Sequence, residues 1–417
     1  MERKNFDVVV IGGGPAGMSA AISSCDEGVK TAIVERDYRL GGILNQCIHN
    51  GFGLHYFGEE LTGPEYAVKF RKLVEERDID LFLNTIVLDI DTDNKVLTAM
   101  NEQGMFELQA KSIVLAMGCR ERTAGAIMQG GYRPAGVFPA GCAQKLTNVK
   151  GEKVGKEVVI LGSGDIGLIM ARRMTFEGAK VKMVCEIMPY SSGLKRNIVQ
   201  CLDDYNIPLK FSTTITKVEG KERVEGVWIA KVDDKMRAIP GTEEFVKCDT
   251  VLLSVGLVPE NDLIFNKGIE MNNITSGAYA DEFRRTSKEG IFSCGNVLHV
   301  HDLADNASIE AKTAGISAAK NAKGEKLPEC DVKVECDGRL VRYVVPKAIA
   351  SGEGKVNVFL RVGNVYKDKY LVVKSGDEVI LKKNAMIFTP GEMETIAIDK
   401  SKLKGDVFIT LMDKEVK

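Results

Sequence analysis

The chain has 417 residues, a formal charge of −2 and a pI near 6.2, a length for about two to three domains, with no basic block of the kind that binds nucleic acid. No apolar run approaches the ~20 residues that cross a bilayer, and the opening MERKNFDVVV runs straight into a strand pattern, so neither a membrane span nor a signal peptide is expected. Ten scattered cysteines with no CxxC pair point to reduced thiols and a cytoplasmic setting instead of a disulfide framework.

Residues 6–36, FDVVVIGGGPAGMSAAISSCDEGVKTAIVER, read as a βαβ unit. An apolar strand over 7–11 feeds glycines at Gly12, Gly14 and Gly17. A helical pattern follows through Ala20, Ala21 and Ile22, and a second apolar run over 31–34 ends in Glu35. This is the dinucleotide fingerprint in its full context. Gly12 permits the tight turn, Gly14 removes a side chain where a pyrophosphate approaches, and Gly17 lets helix and strand pack closely. The helix N-terminus offers free N–H groups to phosphates, and Glu35 is placed for a ribose hydroxyl pair.

Residues 38–53, rich in Gly and Asn, read as a loop running along the nucleotide. An amphipathic helix is expected over 65–77, a strand over 80–90, and a hairpin of 96–99 with 105–108 turning at 102–104. Another buried strand, 111–116, ends in AMGCRER. The fingerprint then repeats: KEVVILGSGDIGLIMARRMTFEGAKVKMVCE, residues 156–186, has Gly162, Gly164 and Gly167 at the same spacing and ends in Glu186. Two such folds in one chain imply two nucleotides brought together for hydride transfer. An acid at Glu186 favours a free ribose 2′-hydroxyl, so NAD(H) is expected over NADP(H). Buried strands follow at 249–259 and 290–296, then a helix over 306–320 with small residues suited to close packing. From about Leu327 the pattern changes to seven short strands separated by turns, a small all-β sandwich.

These motifs, with AMG (residues 116–118), SVGLVPE (254–260) and FSCGN (292–296), resemble the FAD-dependent pyridine nucleotide–disulfide oxidoreductases over roughly residues 5–325. The resemblance implies an α/β fold of two Rossmann-like dinucleotide-binding domains plus a C-terminal all-β domain. The FAD domain would be discontinuous (1–121 and 282–325), with an inserted NAD domain (122–281) and the β domain at 326–417. It implies FAD contacts at Gly12, Gly14, Pro15, Ala16, Gly17, Glu35, Arg36, Gly42, Val87, Ala116, Gly118, Gly295 and Asn296. It implies NAD(H) contacts at Gly162, Gly164, Asp165, Ile166, Gly167, Glu186 and Gly256. Asn296 stands where the family usually has Asp.

The chain departs from the dithiol reductases of that family. The loop beside the flavin carries only Cys47, and no histidine follows His301. A thiol–disulfide relay needs two sulfurs, so a disulfide reductase is not expected. The stretches GVFPAGCAQKLTNVKG, GSGDIGLIMARR and CGNVLHVHDLADNAS are similar to the FAD/NAD subunits of amino-acid and glycerol-3-phosphate dehydrogenase complexes. That implies an oligomeric assembly in which a partner flavoprotein or iron–sulfur subunit exchanges electrons with this chain. The alternatives are a stand-alone NADH oxidase or peroxidase using Cys47, or a flavin-binding assembly subunit whose NAD site is vestigial. His299 and His301, two apart and pointing the same way on an extended segment, are candidates for a proton relay. With one carboxylate they make a poor zinc set, and no metal is expected.

Overall fold

The structure is a computed structural model that describes residues 2–414. It separates into two compact units, residues 1–119 with 259–417 and residues 120–258.

The larger unit is built on a seven-stranded sheet. Its order is Ile79–Phe82, Thr31–Val34, Glu2–Ile11, Gly104–Leu115, Val96–Asn101 and Ile86–Asp91, with Ile291–Ser293 also pairing to Gly104–Leu115. The hairpin arm and the buried strand expected as two segments are one 12-residue strand. Its outer part pairs antiparallel with Val96–Asn101, and Ile291–Ser293 runs parallel to its inner end. The strand expected over 80–90 is broken at Asn84, which takes φ +48°. Helix Gly63–Glu75 begins two residues before the expected 65 because Thr62 and Glu65 form a reciprocal cap and Pro64 occupies its first turn.

Helices Pro15–Asp26 and Ala304–Ala322 pack closely. A Cβ at Gly315 would lie 2.2 Å from the Ala20 carbonyl oxygen, Ser24 Oγ donates to Gly315 O at 3.0 Å, and Ser19 Oγ to Ser308 O at 2.7 Å. Small residues at these positions allow the approach.

The second crossing between units falls at Val258 and Pro259, earlier than the expected 281 and 282. Ile264, Ile269 and Ala278 share a core cluster with Val9, Ile11 and Leu115, so hydrophobic burial assigns them to the first sheet. The all-β region belongs to the same unit. A five-stranded and a three-stranded sheet contribute Val334, Val373 and Ile409, and Val358, Leu360 and Ile396, to one core. That is a β-sandwich.

The smaller unit carries a parallel sheet ordered Val137–Pro139, Thr250–Leu253, Glu157–Leu161, Lys180–Cys185 and Leu209–Lys210, with a three-stranded antiparallel sheet from residues 213–247. That second sheet and helix Ala140–Lys150 have no counterpart among the elements expected from local pattern.

Candidate cofactor sites

Strand Glu2–Ile11 ends in the Gly12–Gly14 turn. Helix Pro15–Asp26 starts from Gly14 with Pro15 in its first turn and no side-chain cap among the described residues. Its first N–H groups and positive dipole end therefore remain available. Gly12 has φ +102°, and a Cβ there would lie 2.4 Å from the Ala116 carbonyl oxygen; one at Gly17 would lie 1.7 Å from the Gly12 carbonyl oxygen. A Cβ at Gly14 would meet no described atom within 4 Å. Packing thus demands the outer two glycines. The middle one faces open space at a helix N-terminus, a cradle that fits a pyrophosphate.

The other expected positions gather around this turn. Gly42 takes φ +52°, and its Cβ would lie 3.1 Å from Gly14 Cα. Glu35 is buried: Oε2 accepts from Gly13 N at 2.6 Å and Oε1 from Asp37 N at 2.7 Å. Arg36 is exposed beside it. The Glu35 carbonyl takes Thr85 N at 3.0 Å, which brings the strand of Val87 alongside. Ala116 and Gly118 follow the end of Gly104–Leu115, and Gly295 and Asn296 follow Ile291–Ser293. These last four lie beyond the carboxyl ends of parallel strands, where open α/β sheets bind ligands. A Cβ at Gly295 would lie 2.6 Å from that of Ala16, so this turn sits directly on the glycine helix.

The smaller unit repeats the glycine turn, except that a Cβ at Gly164 would lie 3.1 Å from Ser254 Oγ, which also accepts from Gly167 N at 3.1 Å. Gly162 takes φ +95°, and a Cβ there would lie 2.1 Å from the Ser254 carbonyl oxygen; at Gly167 it would lie 2.7 Å from Ser254 Cβ. Ile166 is in the first turn of the following helix, and Gly256, at φ +102°, lies two residues beyond Ser254. Buried Glu186 accepts from Ser163 N at 2.9 Å, Ser163 Oγ at 2.5 Å and Met188 N at 2.9 Å. Residue types differ, yet the acid occupies the same place as Glu35. Asp165 Oδ1 takes Leu194 N at 2.8 Å and Asn197 Nδ2 at 2.6 Å, so its carboxylate ties down the 194–197 segment.

The three expected catalytic side chains are all buried. Cys47 is buried, its Sγ 3.3 Å from Ile43 O, and burial pushes its thiol up to about 12. At neutral pH it is a thiol, without the thiolate character of a redox cysteine. His299 and His301 are also buried. Their Nε2 atoms lie 2.9 and 3.1 Å from the two oxygens of Glu310, whose Oε2 also accepts from Gly295 N at 2.7 Å. Arg284 Nε is 3.2 Å from Oε1. Burial opposes ionisation of Glu310, but His299, His301 and Arg284 outweigh it and hold the carboxyl well below its usual range. An ionised carboxylate only accepts, so both Nε2 atoms carry hydrogen. Burial, partly opposed by Glu310, pulls His299 down to about 4, leaving it neutral. The three ligand-type atoms lie within 4.8 Å of one another, but the guanidinium already supplies the balancing cation. The pair thus holds Glu310, which in turn anchors Gly295 N.

Two residues of this site carried no local signal. Glu310 looks like any polar position of a helix. Asp305, buried at the start of the same helix, accepts from Gly53 N at 3.0 Å and His55 N at 3.1 Å, fastening the loop after Cys47.

The sequence profile described as pyridine nucleotide-disulphide oxidoreductase matches residues 6–311. The chain is similar to HcnB, a hydrogen cyanide synthase component of Pseudomonas protegens, at 24% identity over 76% of this chain and 69% of that protein. It is similar to the F component of the alkyl hydroperoxide reductase of Staphylococcus aureus, at 26% identity over 77% of this chain and 59% of that protein, so it spans about three fifths of that relative. Among solved structures it resembles thioredoxin reductase from T. acidophilum, with TM-score 0.62 and 23% identity over 76% of this chain and 99% of that one. It also resembles L-proline dehydrogenase from P. horikoshii, with TM-score 0.54 and 22% identity over 78% of this chain and 57% of that one. At these identities the structural likeness establishes the fold.

Proposed function

Because the chain belongs to the pyridine nucleotide-disulphide oxidoreductases, FAD-dependent NAD(P)H oxidoreductases, we propose that it passes hydride between NAD(H) and FAD and exchanges the electrons with a second protein. The observation that carries this is the pair of glycine cradles, each closed by a buried acid, with no cysteine pair beside them. The sequence holds no CxxC pair, and the loop of residues 38–53 carries Cys47 alone, which speaks against a dithiol relay. HcnB and the hydroperoxide reductase relative are both named as subunits, which supports a place in an assembly. A partner flavoprotein or iron–sulfur subunit of an amino-acid or glycerol-3-phosphate dehydrogenase fits this reading.

FAD would be held at Gly12, Gly14 and Gly17, with Glu35 at the ribose and Gly42, Gly118 and Asn296 around it. Bound there, it would supply the two-electron chemistry; the chain's residues bind, orient and exclude water. NAD(H) would be held at Gly162, Gly164 and Gly167. A carboxylate at Glu186 repels a 2′-phosphate, which supports NAD(H) over NADP(H). The intact second cradle speaks against a vestigial site, and buried Cys47 against a cysteine peroxidase.

Anaerobic titration of the purified chain with NADH tests the reading: the flavin absorption band should bleach. Glu186→Ala should raise the NADH KM by roughly tenfold and erode selectivity against NADPH, as loss of a charged hydrogen-bond partner implies. Unbleached flavin, or unchanged selectivity in the variant, would count against the assignment.

A further inference from the structure

The profile match ends at residue 311, and the sandwich from Val332 onward lies beyond it. Its strand Lys355–Val362 sets Phe359 and Arg361 on one face, since alternate residues of a strand share a side. The Phe359 ring lies 5.4 Å from that of His299 and 5.5 Å from that of His301. Arg361 is largely buried and bridges two loops. Nη1 donates to Pro390 O at 3.2 Å and Gly391 O at 2.8 Å. Nη2 donates to Val300 O at 3.1 Å and pairs with Asp302, which also accepts from Met393 N at 2.6 Å.

The peptide group between Val300 and His301 is thereby held at both ends. Its carbonyl takes Arg361, and its N–H donates to Asn296 Oδ1 at 2.9 Å. A backbone N–H can only donate, so the atom facing it must be the amide oxygen. Asn296 Nδ2 then lies on the other side, 3.5 Å from Cys119 Sγ, with a second hydrogen left to give. Gly295, which precedes it, rests on the glycine helix at Ala16.

We propose that Arg361 is a positioning residue for FAD: by fixing the peptide of Val300 and His301 it turns the Asn296 amide so that an N–H is offered to a phosphate or hydroxyl oxygen of the dinucleotide. This rests on the FAD reading above. With its oxygen turned to the His301 N–H, the amide presents Nδ2, a donor that suits a phosphate or hydroxyl oxygen. The sandwich then has a task in the cofactor site without contributing an atom to it.

The test titrates full-length apoprotein with FAD by quenching of flavin fluorescence, and records the visible flavin spectrum and midpoint potential. Arg361→Met should weaken FAD roughly tenfold, the size expected for a misplaced charge-assisted donor, and shift the absorption bands. Arg361→Lys keeps a charge beside Asp302 but loses the fork, and should fall between. Glu282→Gln is the control. It loosens a different sandwich contact, to Ala350 N at 2.8 Å and Lys400 Nζ at 3.2 Å, and should leave FAD affinity within about twofold. Wild-type affinity and spectrum in both Arg361 variants would overturn the proposal. So would an equal loss in Glu282→Gln, because docking alone would then explain it. If Arg361→Met does not fold, Arg361→Lys carries the comparison. A parent chain that takes up no FAD at all would overturn the cofactor reading itself, a distinct result.

Discussion

Gly14 and Gly17 lie three residues apart and should respond to substitution in opposite ways. Gly14 has φ −72° and ψ −174°, which any residue adopts, and its Cβ would enter open space. Gly14→Val should therefore cost no more than about 1 kcal/mol of apoprotein stability, the size of a weakened N-cap, while purified protein comes without flavin. Gly17→Ala drives a methyl into the Gly12 carbonyl and should cost about 3 kcal/mol or more, read by urea unfolding of the same apoproteins. The sequence offered both as one motif, and the contacts separate a binding glycine from a packing one. Acid sensitivity also belongs at this scale. His299 is depressed from 6.5 to about 4, so the stability it contributes is complete above pH 6.5 and is lost as pH falls toward 4. Glu310, held low, works in the same direction, its contribution fading below its ordinary 4.5. The expected loss from His299 is on the order of 3 kcal/mol at about 1.4 kcal/mol per pH unit. Unfolding midpoints measured between pH 7 and 4 should fall less steeply in His299→Leu than in the parent chain.

Between elements, the contact of helices Pro15–Asp26 and Ala304–Ala322 is the sensitive one. Gly315→Ala places a methyl 2.2 Å from the Ala20 carbonyl oxygen and must spread the pair, at about 1–3 kcal/mol. Since the first helix carries the open cradle at its start, FAD affinity should drop together with the melting temperature. A variant that melts earlier but binds FAD with parent affinity would show that the cradle does not move with the helix. Periodicity located both helices correctly, because an apolar or small-residue stripe is a property of neighbouring residues. It divided the strand Gly104–Leu115 in two, because that strand changes partners partway along, and pairing is not a local property.

At the scale of the whole chain, the sandwich is part of the larger unit. Ala280 and Leu298 share a small buried cluster with Tyr343 and Val345, and the aromatic Phe359 covers the buried histidines. Ending the chain at residue 325 would expose these groups and an ion-paired Glu310 to water. The shortened protein should aggregate or fail to retain FAD, measured by size-exclusion chromatography and flavin content; a monodisperse product with full flavin would contradict this.

Two dinucleotide cradles, their acids and a late all-β region can all be read from the chain in order, since turns, strand alternation and helix starts answer to residues within a few positions of each other. Folding in three dimensions settled what neighbours could not. Cys47 came to be buried, His299 and His301 were bound to Glu310, and Arg361 came against a loop some 60 residues before it. Burial and polar satisfaction depend on partners far along the sequence, and no local pattern announces which partners those are.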